Sequence, residues 1–464
     1  MSASKERQHA ILNGPIGRTV LELAAPMLIG IAAIMLFNVV DAFWVGQLGA
    51  AELAAMSFTF PVVMVVLSLA MGIGIGATAV IARALGEGDE QGVRRLTTDA
   101  LLLANVSVVV LAIAGLLTIG PLFAALGANP ATVELVRQYM VPWYLGVGLL
   151  VIPMVGNSAI RATGDTKTPS YIMIVAGVVN AVLDPFLIFG WGPFPQLGLA
   201  GAAIATIMSY AGAFVVALWV LGKRERLITL EIPQVSEVLS SWRRILYIGL
   251  PAAATNMLGP VSIGMLTRMV SEYGDLSVAA WGIGTRIEGL ATIGFGALAT
   301  AITPFIAQNL GAGNCDRIRQ TLSFAVKAAM GWGLGAAVLL ALSAGPLAGI
   351  FTENPQVSSE ARLYMLVIPL SYGTLGIAHI VATSFNALGK PLRASALVAT
   401  RLLVLAVPLA ALGSSIFALP GLFVGIAVAN VLIGMLALFV VRKQLDVVEE
   451  EVAAQASIPL VAGA

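Results

Sequence analysis

The sequence has very little charge for its length. Of its 464 residues only 11% are charged and 59% are hydrophobic, whereas a soluble domain usually carries about 25% charged residues. So little charge cannot cover a water-facing surface of this size, and lipid is therefore the expected solvent for most of the chain. The net charge of +1 also argues against the basic face that a nucleic-acid-binding protein needs, so no nucleic-acid partner is expected.

Side chains for catalysis and for metal binding are scarce as well. The single cysteine, Cys315, cannot form an intrachain disulfide. Together with only two histidines, His9 and His379, it leaves too few ligands for a zinc or haem site. No nucleophile with a matching base stands out in the sequence. We therefore expect neither an enzyme nor a protein with a bound cofactor.

The chain contains many long apolar runs. A transmembrane helix needs about 20 predominantly apolar residues, and the sequence offers twelve such runs. Several contain Gly or Pro, which transmembrane helices tolerate when neighbouring helices satisfy the freed backbone groups. The chain is therefore predicted to be an all-α polytopic membrane protein with twelve transmembrane helices. The predicted spans are 17–44, 53–84, 97–119, 133–161, 168–190, 199–222, 243–270, 278–307, 318–344, 358–386, 394–415 and 421–441.

Basic residues set the predicted orientation of these spans. Most of the 25 Lys and Arg residues lie before the first run or in every second loop, and the loops between contain almost none. Cytoplasmic loops carry such an excess of positive charge. Both termini are therefore predicted to lie on the cytoplasmic side of the inner membrane. The polar start, 1–14, shows no apolar segment of the kind that a signal peptide contains.

The two halves of the chain are similar to one another. A shift of 225 residues aligns Pro26 with Pro251 and Tyr139 with Tyr364. A single register over so long a stretch indicates an internal repeat. Six helices per copy return the chain to its starting side, which predicts two pseudo-symmetric six-helix bundles. The predicted domains are an N-lobe at 1–225, a cytoplasmic linker at 226–242, a C-lobe at 243–441 and a cytoplasmic tail at 442–464.

Four stretches resemble a known transporter family. The glycine-rich stretch 72–89 resembles the second-helix signature of the multidrug and toxic compound extrusion (MATE) transporters, and 159–165 is similar to their fourth loop. Residues 38–41 and 180–185 look like the acidic motifs of the DinF-like prokaryotic branch. The resemblance covers all twelve runs. It implies the MATE architecture of the MOP superfamily and rocker-switch efflux of cationic or amphipathic compounds in exchange for Na⁺ or H⁺.

Two acidic residues inside the helices are the clearest functional candidates. A charged side chain at the bilayer centre costs about 2.5–3.5 kcal/mol, so Asp41 and Asp184 are expected to have a function. Asn180 lies one turn before Asp184 on the same helical face. Tyr139 and Thr206 each lie about 10 Å from the start of their helices, so these groups can share one depth. Their hard oxygen donors suit a small cation, and a desolvated carboxylate also suits a proton.

The resemblance assigns the family's ion site to the same residues. It places Na⁺ at Asp41, Asn180, Asp184 and Thr206, with Tyr139 nearby. The residue types leave other interpretations open. A membrane carboxylate can also bond the backbone that a following proline frees, a tyrosine can be a core aromatic residue, and a threonine can bond back within its own helix.

Weaker candidates are spread over both halves. The resemblance suggests a place on the substrate cavity for Asn157, and Asn38, Glu288 and Arg286 are further candidates for that cavity. The last two are not on one helical face, because residues two apart in a helix point apart. Arg401 is interpreted as an interfacial residue whose side chain snorkels toward the cytoplasmic surface.

The second copy lacks the acidic motif of the first. The 225-residue shift places Leu266, Leu405 and Leu409 opposite the two aspartates and the asparagine of the first copy. Only the N-lobe is therefore expected to keep a polar cluster, and ion coupling is expected there.

A cation-coupled multidrug efflux antiporter is the function that these patterns favour. It is expected to work as a monomer in membrane lipid, on small organic cations or amphipathic drugs, with Na⁺ or H⁺ as the coupling ion. The alternative is a lipid-linked precursor or polyisoprenoid flippase of the same superfamily, which would need several inward-facing Arg residues. An ion channel is a third possibility, but it needs a polar pore, usually repeated around an axis, and the one-sided polar cluster does not supply one.

Overall fold

Helices form every regular element in the part of the chain that the structure describes. The structure is a computed structural model that describes residues 3–456, so the end of the predicted tail, 457–464, lies outside the described residues. Short π-helical stretches at Val220–Arg224 and Thr400–Ala406 continue α8 and α15, and a 3₁₀ turn at Ile368–Ser371 links α13 to α14. The helices are α1 (Ala3–Asn13), α2 (Ile16–Gly46), α3 (Ala50–Glu87), α4 (Glu90–Ala125), α5 (Pro130–Gly146), α6 (Gly148–Ala162), α7 (Lys167–Phe189), α8 (Leu199–Trp219), α9 (Val235–Ser271), α10 (Asp275–Ala291), α11 (Ile293–Gly311), α12 (Cys315–Phe351), α13 (Pro355–Val367), α14 (Tyr372–Ala387), α15 (Pro391–Ala399) and α16 (Val407–Ala456).

These helices coincide with the apolar runs. By length and composition, ten helices in the described residues could cross a membrane, or eleven if the bent pair of α5 and α6 counts as one span. The pair bends by 48°, and Pro142 and Pro153 lie on either side of the bend, where each removes a backbone donor. The predicted all-α polytopic membrane fold is confirmed.

The last helix, α16, is a hairpin of two helical arms. Phe417 has φ −130° and Ala418 has φ 52°, both outside the helical region, and the chain reverses there. Gly413 and Gly421 pack against each other's backbone, and Gly425 meets the opposite arm in the same way, so the arms run antiparallel in close contact. Counting this hairpin as two spans and the bent pair as one gives twelve, and the number of helices that cross the bilayer stays a prediction.

The chain divides into two compact units. The first unit contains residues 3–7, Ala25–Leu85 and Asp89–Ala254, and the second contains Gln8–Ala24, Gly86–Gly88 and 255–456. The units follow the predicted lobes over most of their length. They differ at the start of α2, which belongs to the second unit, and at the start of α9. Helix α9 begins at Val235 inside the predicted linker, and its first turns belong to the first unit.

Helix α1 is an element that the apolar runs do not predict. In the second unit, Arg317 of α12 donates hydrogen bonds to the carbonyl oxygens of Ile11 (3.0 Å) and Gly14 (2.8 Å). Asn309 of α11 donates another to the carbonyl of Ile11 at 3.3 Å. These donors satisfy carbonyl groups that the end of a helix leaves without partners, and they fix the end of α1 in this unit.

In the first unit, a buried acid joins the loop after α6 to α7 and α8. Asp165 accepts hydrogen bonds from the backbone N–H of Thr168 (3.0 Å) and from its hydroxyl (2.7 Å), and it pairs with Arg224. Burial disfavours the charge, but the Thr168 hydrogen bonds and the charges of Arg7 and Arg224 outweigh burial. The pKa of the Asp165 carboxyl therefore lies below its ordinary value, so the charged form stabilises the fold.

We expect Asp165→Asn to lower the free energy of unfolding by about 1–2 kcal/mol near neutral pH, because the ion pair and charge-assisted hydrogen bonds are lost. A carboxyl with a lowered pKa stabilises the fold above its unfolded-state pKa. That contribution disappears as the pH falls through the folded-state pKa. The difference from wild type, measured by thermal unfolding in detergent, should therefore narrow below about pH 4.

The matched control for this prediction is Asp89→Asn. Asp89 is an exposed N-cap of α4, and Asn caps a helix as well as Asp does. Equal losses in the two variants, or a loss at Asp165 that does not change with pH, would contradict the role of the charged Asp165.

We expect Gly421→Ala to destabilise the α16 hairpin. A methyl group at this position would overlap the carbonyl oxygen of Gly413, and overpacking of this kind costs about 1–3 kcal/mol. Gly345→Ala is the control, because a side chain there meets no atom within 4 Å and Ala is the better helix former. Thermal unfolding of both variants measures the difference; a gain in stability at both positions would show that the arms are not in close contact.

Candidate functional site

Four helices of the first unit position the predicted ion site: α2, α5, α7 and α8. Small residues let them approach closely, as is common between membrane helices. Gly201 of α8 packs against the backbone of Leu187 of α7, and Gly177 of α7 receives the ring of Phe37 of α2. Side chains at these two glycines would force α7 away from both neighbours. Glycine contacts therefore bring the polar residues of α2, α7 and α8 together.

The amide of Asn180 connects two of the predicted site residues. Its Nδ2 donates to Asp184 Oδ1 at 3.1 Å and lies 3.5 Å from Thr206 Oγ1. The Thr206 hydroxyl donates to the carbonyl oxygen of Ala202 at 3.1 Å. The hydroxyl proton is thus used within α8, and the lone pairs of the Thr206 oxygen face Asn180. The predicted one-turn spacing of Asn180 and Asp184 gives a direct contact.

The two carboxylates have oxygens without partners. Asp184 is 0% exposed and its Oδ2 makes no hydrogen bond, and the buried Oδ1 of Asp41 makes none either. The two groups are close enough to interact electrostatically, and the buried Tyr139 interacts with both. Among the described residues, no ion pair joins either aspartate to a basic side chain. The structure therefore brings all five predicted coupling residues into one region that is short of positive charge.

This donor set fits a small cation or protons. It offers carboxylate oxygens at Asp41 and Asp184 and a hydroxyl oxygen at Thr206, all of them hard ligands. A buried carboxylate oxygen without a partner is unfavourable, because no hydrogen bond or counter-charge compensates for the water that it has lost. Binding Na⁺ or a proton reduces that penalty, because it offsets one of the two negative charges. The arrangement can therefore take up a cation and release it when water returns.

An aromatic cluster that the sequence analysis missed lies beside the carboxylates, at the ends of α2 and α7. Trp44 is one turn after Asp41, and its ring contacts Phe189 and Trp191 edge-to-face at centroid distances of 6.0 and 5.9 Å. The indole N–H of Trp44 is buried without a partner. These rings pack together near the loop after α7. The run of aromatic residues and glycines at 189–194 was the signal for this cluster.

The weaker candidates occupy different environments. Asn157 of α6 is buried, and its Oδ1 has no hydrogen-bond partner, so it presents an unused acceptor inside the first unit. Asn38 and Arg286 are exposed. Glu288 of α10 accepts a hydrogen bond from the hydroxyl of Tyr364. The structure does not bring these four residues into one cluster.

The expectation that only the first half keeps a polar cluster is wrong. The second unit places Glu288, Tyr364, Tyr372 and Arg401 close enough to interact electrostatically. The repeat register predicts Tyr364 as the counterpart of Tyr139, but the acid comes from α10 and not from the helices that carry the aspartates in the first copy. Arg401, which the sequence analysis interprets as an interfacial residue, has a buried Nε and interacts electrostatically with Glu288.

The helical units and their intramembrane carboxylates define a multi-pass membrane transporter. The family model described as MatE matches residues 26–186 and 251–412, and the starts of these two segments are related by the repeat register. The chain belongs to the MATE family, as the sequence motifs indicated.

Relatives of known name agree with this assignment. Over 436 residues the chain is 39% identical to the FAD transporter of Shewanella oneidensis, covering 94% of this chain and 96% of that protein. Over 349 residues it is 26% identical to the probable multidrug resistance protein YoeA of Bacillus subtilis, covering 74% of this chain and 75% of that protein. The fold matches the crystal structure of the Vibrio cholerae MATE transporter VcmN in the bent form with a TM-score of 0.89 and 30% identity, over 96% of this chain and 99% of that chain.

We expect Asp184→Asn to raise thermal stability in Na⁺-free buffer at alkaline pH, by about 1–3 kcal/mol, because it removes a buried charge that has no counter-charge. Asp275→Asn is the control, since Asp275 is exposed at the start of α10, and it should change stability by less than about 0.5 kcal/mol. Thermal unfolding of the purified variants measures both. A loss of stability in Asp184→Asn would mean that the carboxylate is already compensated.

Proposed function

We propose that this protein is a secondary active exporter driven by cation binding in its first unit. The observation that carries the proposal is the pair of buried carboxylates, Asp41 and Asp184, with unpartnered oxygens and no basic side chain paired to them. Asn180, Thr206 and Tyr139 complete the site, and Na⁺ or H⁺ is the coupling ion. The exporter acts as a monomer in the inner membrane with both termini cytoplasmic.

The coupling works through differential affinity. A ligand shifts a conformational equilibrium only as far as its affinities for the two states differ. With a cation bound, the net negative charge of Asp41 and Asp184 is reduced and the pair tolerates a dry environment better, which favours the state closed to the outside. Without the cation the carboxylates need water, which favours the open state. Inward movement of the cation thereby supplies the free energy for moving an organic compound outward.

Two classes of cargo are compatible with the family. Cationic or amphipathic drugs follow from the acidic site and from relatives named as multidrug resistance proteins. A flavin nucleotide follows from the name of the Shewanella relative. The intramembrane Arg401 favours the second class, because its cationic side chain attracts an anion. A lipid-linked flippase would need several such Arg residues in one site.

Transport into energised vesicles tests the coupling. A fluorescent cationic dye or a flavin nucleotide is added to the outside of inverted vesicles or proteoliposomes. Its uptake is then followed after a Na⁺ gradient or a pH gradient has been imposed. One of the two gradients should drive uptake. Asp184→Asn should reduce the gradient-driven rate by at least tenfold, because the neutral amide can neither take up and release a proton nor offer a negative charge to Na⁺.

The control is Asp275→Asn, which removes an exposed carboxylate of α10. Its uptake rate should equal that of wild type. Uptake that responds to neither gradient, or that persists unchanged in a correctly inserted Asp184→Asn protein, would overturn the proposed coupling.

A further inference from the structure

Arg401 is a half-buried residue of the second unit. It follows α15 in the π-helical stretch Thr400–Ala406, about 10 Å along the helix from the start of the predicted span at 394, which is a third of a hydrocarbon core roughly 30 Å thick. Glu288, with which it interacts electrostatically, lies about 20 Å along α10 from Asp275. Both residues lie inside the predicted spans, 278–307 and 394–415. π-Helical stretches are rare and occur frequently at functional sites.

The guanidinium of Arg401 has no partner in the part of the chain that the structure describes. Its Nε is buried without a hydrogen bond, and none of the ion pairs in those residues includes it. Its electrostatic neighbours are Glu288 and His379, but Glu288 is not within ion-pair distance. A guanidinium offers five N–H donors and remains charged. Leaving it unpaired in an apolar environment is costly, so a ligand is expected.

The nearest acid is held in place by other groups. Glu288 accepts the hydroxyl of Tyr364, and the ring of Tyr364 packs edge-to-face against Trp281 (5.5 Å) and Phe423 (5.3 Å). These three rings are almost fully buried, so they hold the tyrosine rigidly. Glu288 therefore lowers the cost of burying Arg401 by its charge, but it leaves the donors of the guanidinium free.

Free, forked N–H donors select one kind of ligand. Phosphate and carboxylate groups accept two parallel hydrogen bonds from guanidinium, and such charge-assisted pairs are about twice as strong as neutral ones. An organic cation would be repelled by the same side chain. The anion would replace the missing partner of Arg401, and the Glu288 charge would oppose its binding.

We propose that Arg401 binds the phosphate group of the transported compound, so that the cargo is a phosphate-bearing organic anion of the flavin nucleotide class. This inference rests on the proposed export function, and it assigns cargo recognition to the second unit while cation coupling stays in the first. The two roles then use opposite charges on separate helices. The name of the Shewanella relative agrees with this class of cargo.

Binding to the purified full-length protein in detergent tests the proposal without any ion gradient. The probes are riboflavin 5′-phosphate and riboflavin, which share the ring and differ by one phosphate, and flavin fluorescence gives the affinity. Wild type should bind the phosphate ester at least tenfold more tightly. Arg401→Gln should abolish that preference, because a charge-assisted pair of this kind is worth about tenfold or more in affinity.

Further variants separate the effects of the Arg401 charge and of its forked geometry from effects on folding of the protein. Arg401→Lys keeps the charge but loses the fork, and it should retain only part of the preference. Glu288→Gln should strengthen binding of the phosphate ester several-fold, because it removes the opposing charge. Arg362→Gln, at an exposed position of α13, should leave both affinities unchanged. Thermal unfolding temperatures no lower than that of wild type show that the variants are folded.

Three results would overturn the assignment. The first is equal affinity of wild type for the two flavins. The second is a phosphate preference that survives in Arg401→Gln. The third is stabilisation by phosphatidylglycerol that depends on Arg401 without a flavin preference, which would identify the anion as a lipid headgroup. If no gradient drives transport while the Arg401-dependent preference stands, the coupling proposal fails and the binding site remains.

Discussion

Burying two like charges without a counter-charge is the constraint on which the first unit depends. Asp41 and Asp184 share a region in which the oxygens that lack partners are out of contact with water, and a bilayer makes that arrangement expensive. Close helix packing creates it, since Gly177 and Gly201 bring α2 and α8 against α7. In the proposed coupling, this penalty makes the site responsive, because a bound cation reduces it and a change in hydration restores it.

The same scaffold carries opposite chemistry in its two copies. The repeat register relates Tyr139 to Tyr364, and both tyrosines lie beside acidic groups. In the first copy the ionisable neighbours of the tyrosine are carboxylates alone, whereas in the second copy the polar cluster contains Glu288 together with Arg401. Duplication therefore preserved the helix packing while the ionisable residues diverged. The proposed division between cation coupling and cargo recognition rests on this difference in charge.

Two irregular stretches interrupt the regular α-helices, at the α16 hairpin and at Thr400–Ala406. The α16 hairpin depends on Gly413 and Gly421, whose lack of side chains lets the two arms touch. A hydropathy pattern does not reveal the chain reversal at Phe417 and Ala418, because the residues on both sides of it are apolar. The hydropathy pattern does not reveal the π-helical stretch at Thr400–Ala406 either, although this stretch contains Arg401.

The sequence by itself determined the membrane class, the approximate bounds of the helices, the repeat register and the acidic candidates. These follow from local properties: hydropathy over about 20 residues, the i, i+4 spacing that joins Asn180 to Asp184, and the cost of charge in lipid. Only the tertiary structure decided which side chains meet across distant helices. Glu288 reaches Tyr364, and Arg401 is left without a partner, because packing between helices far apart in the chain sets those distances and no local pattern encodes them.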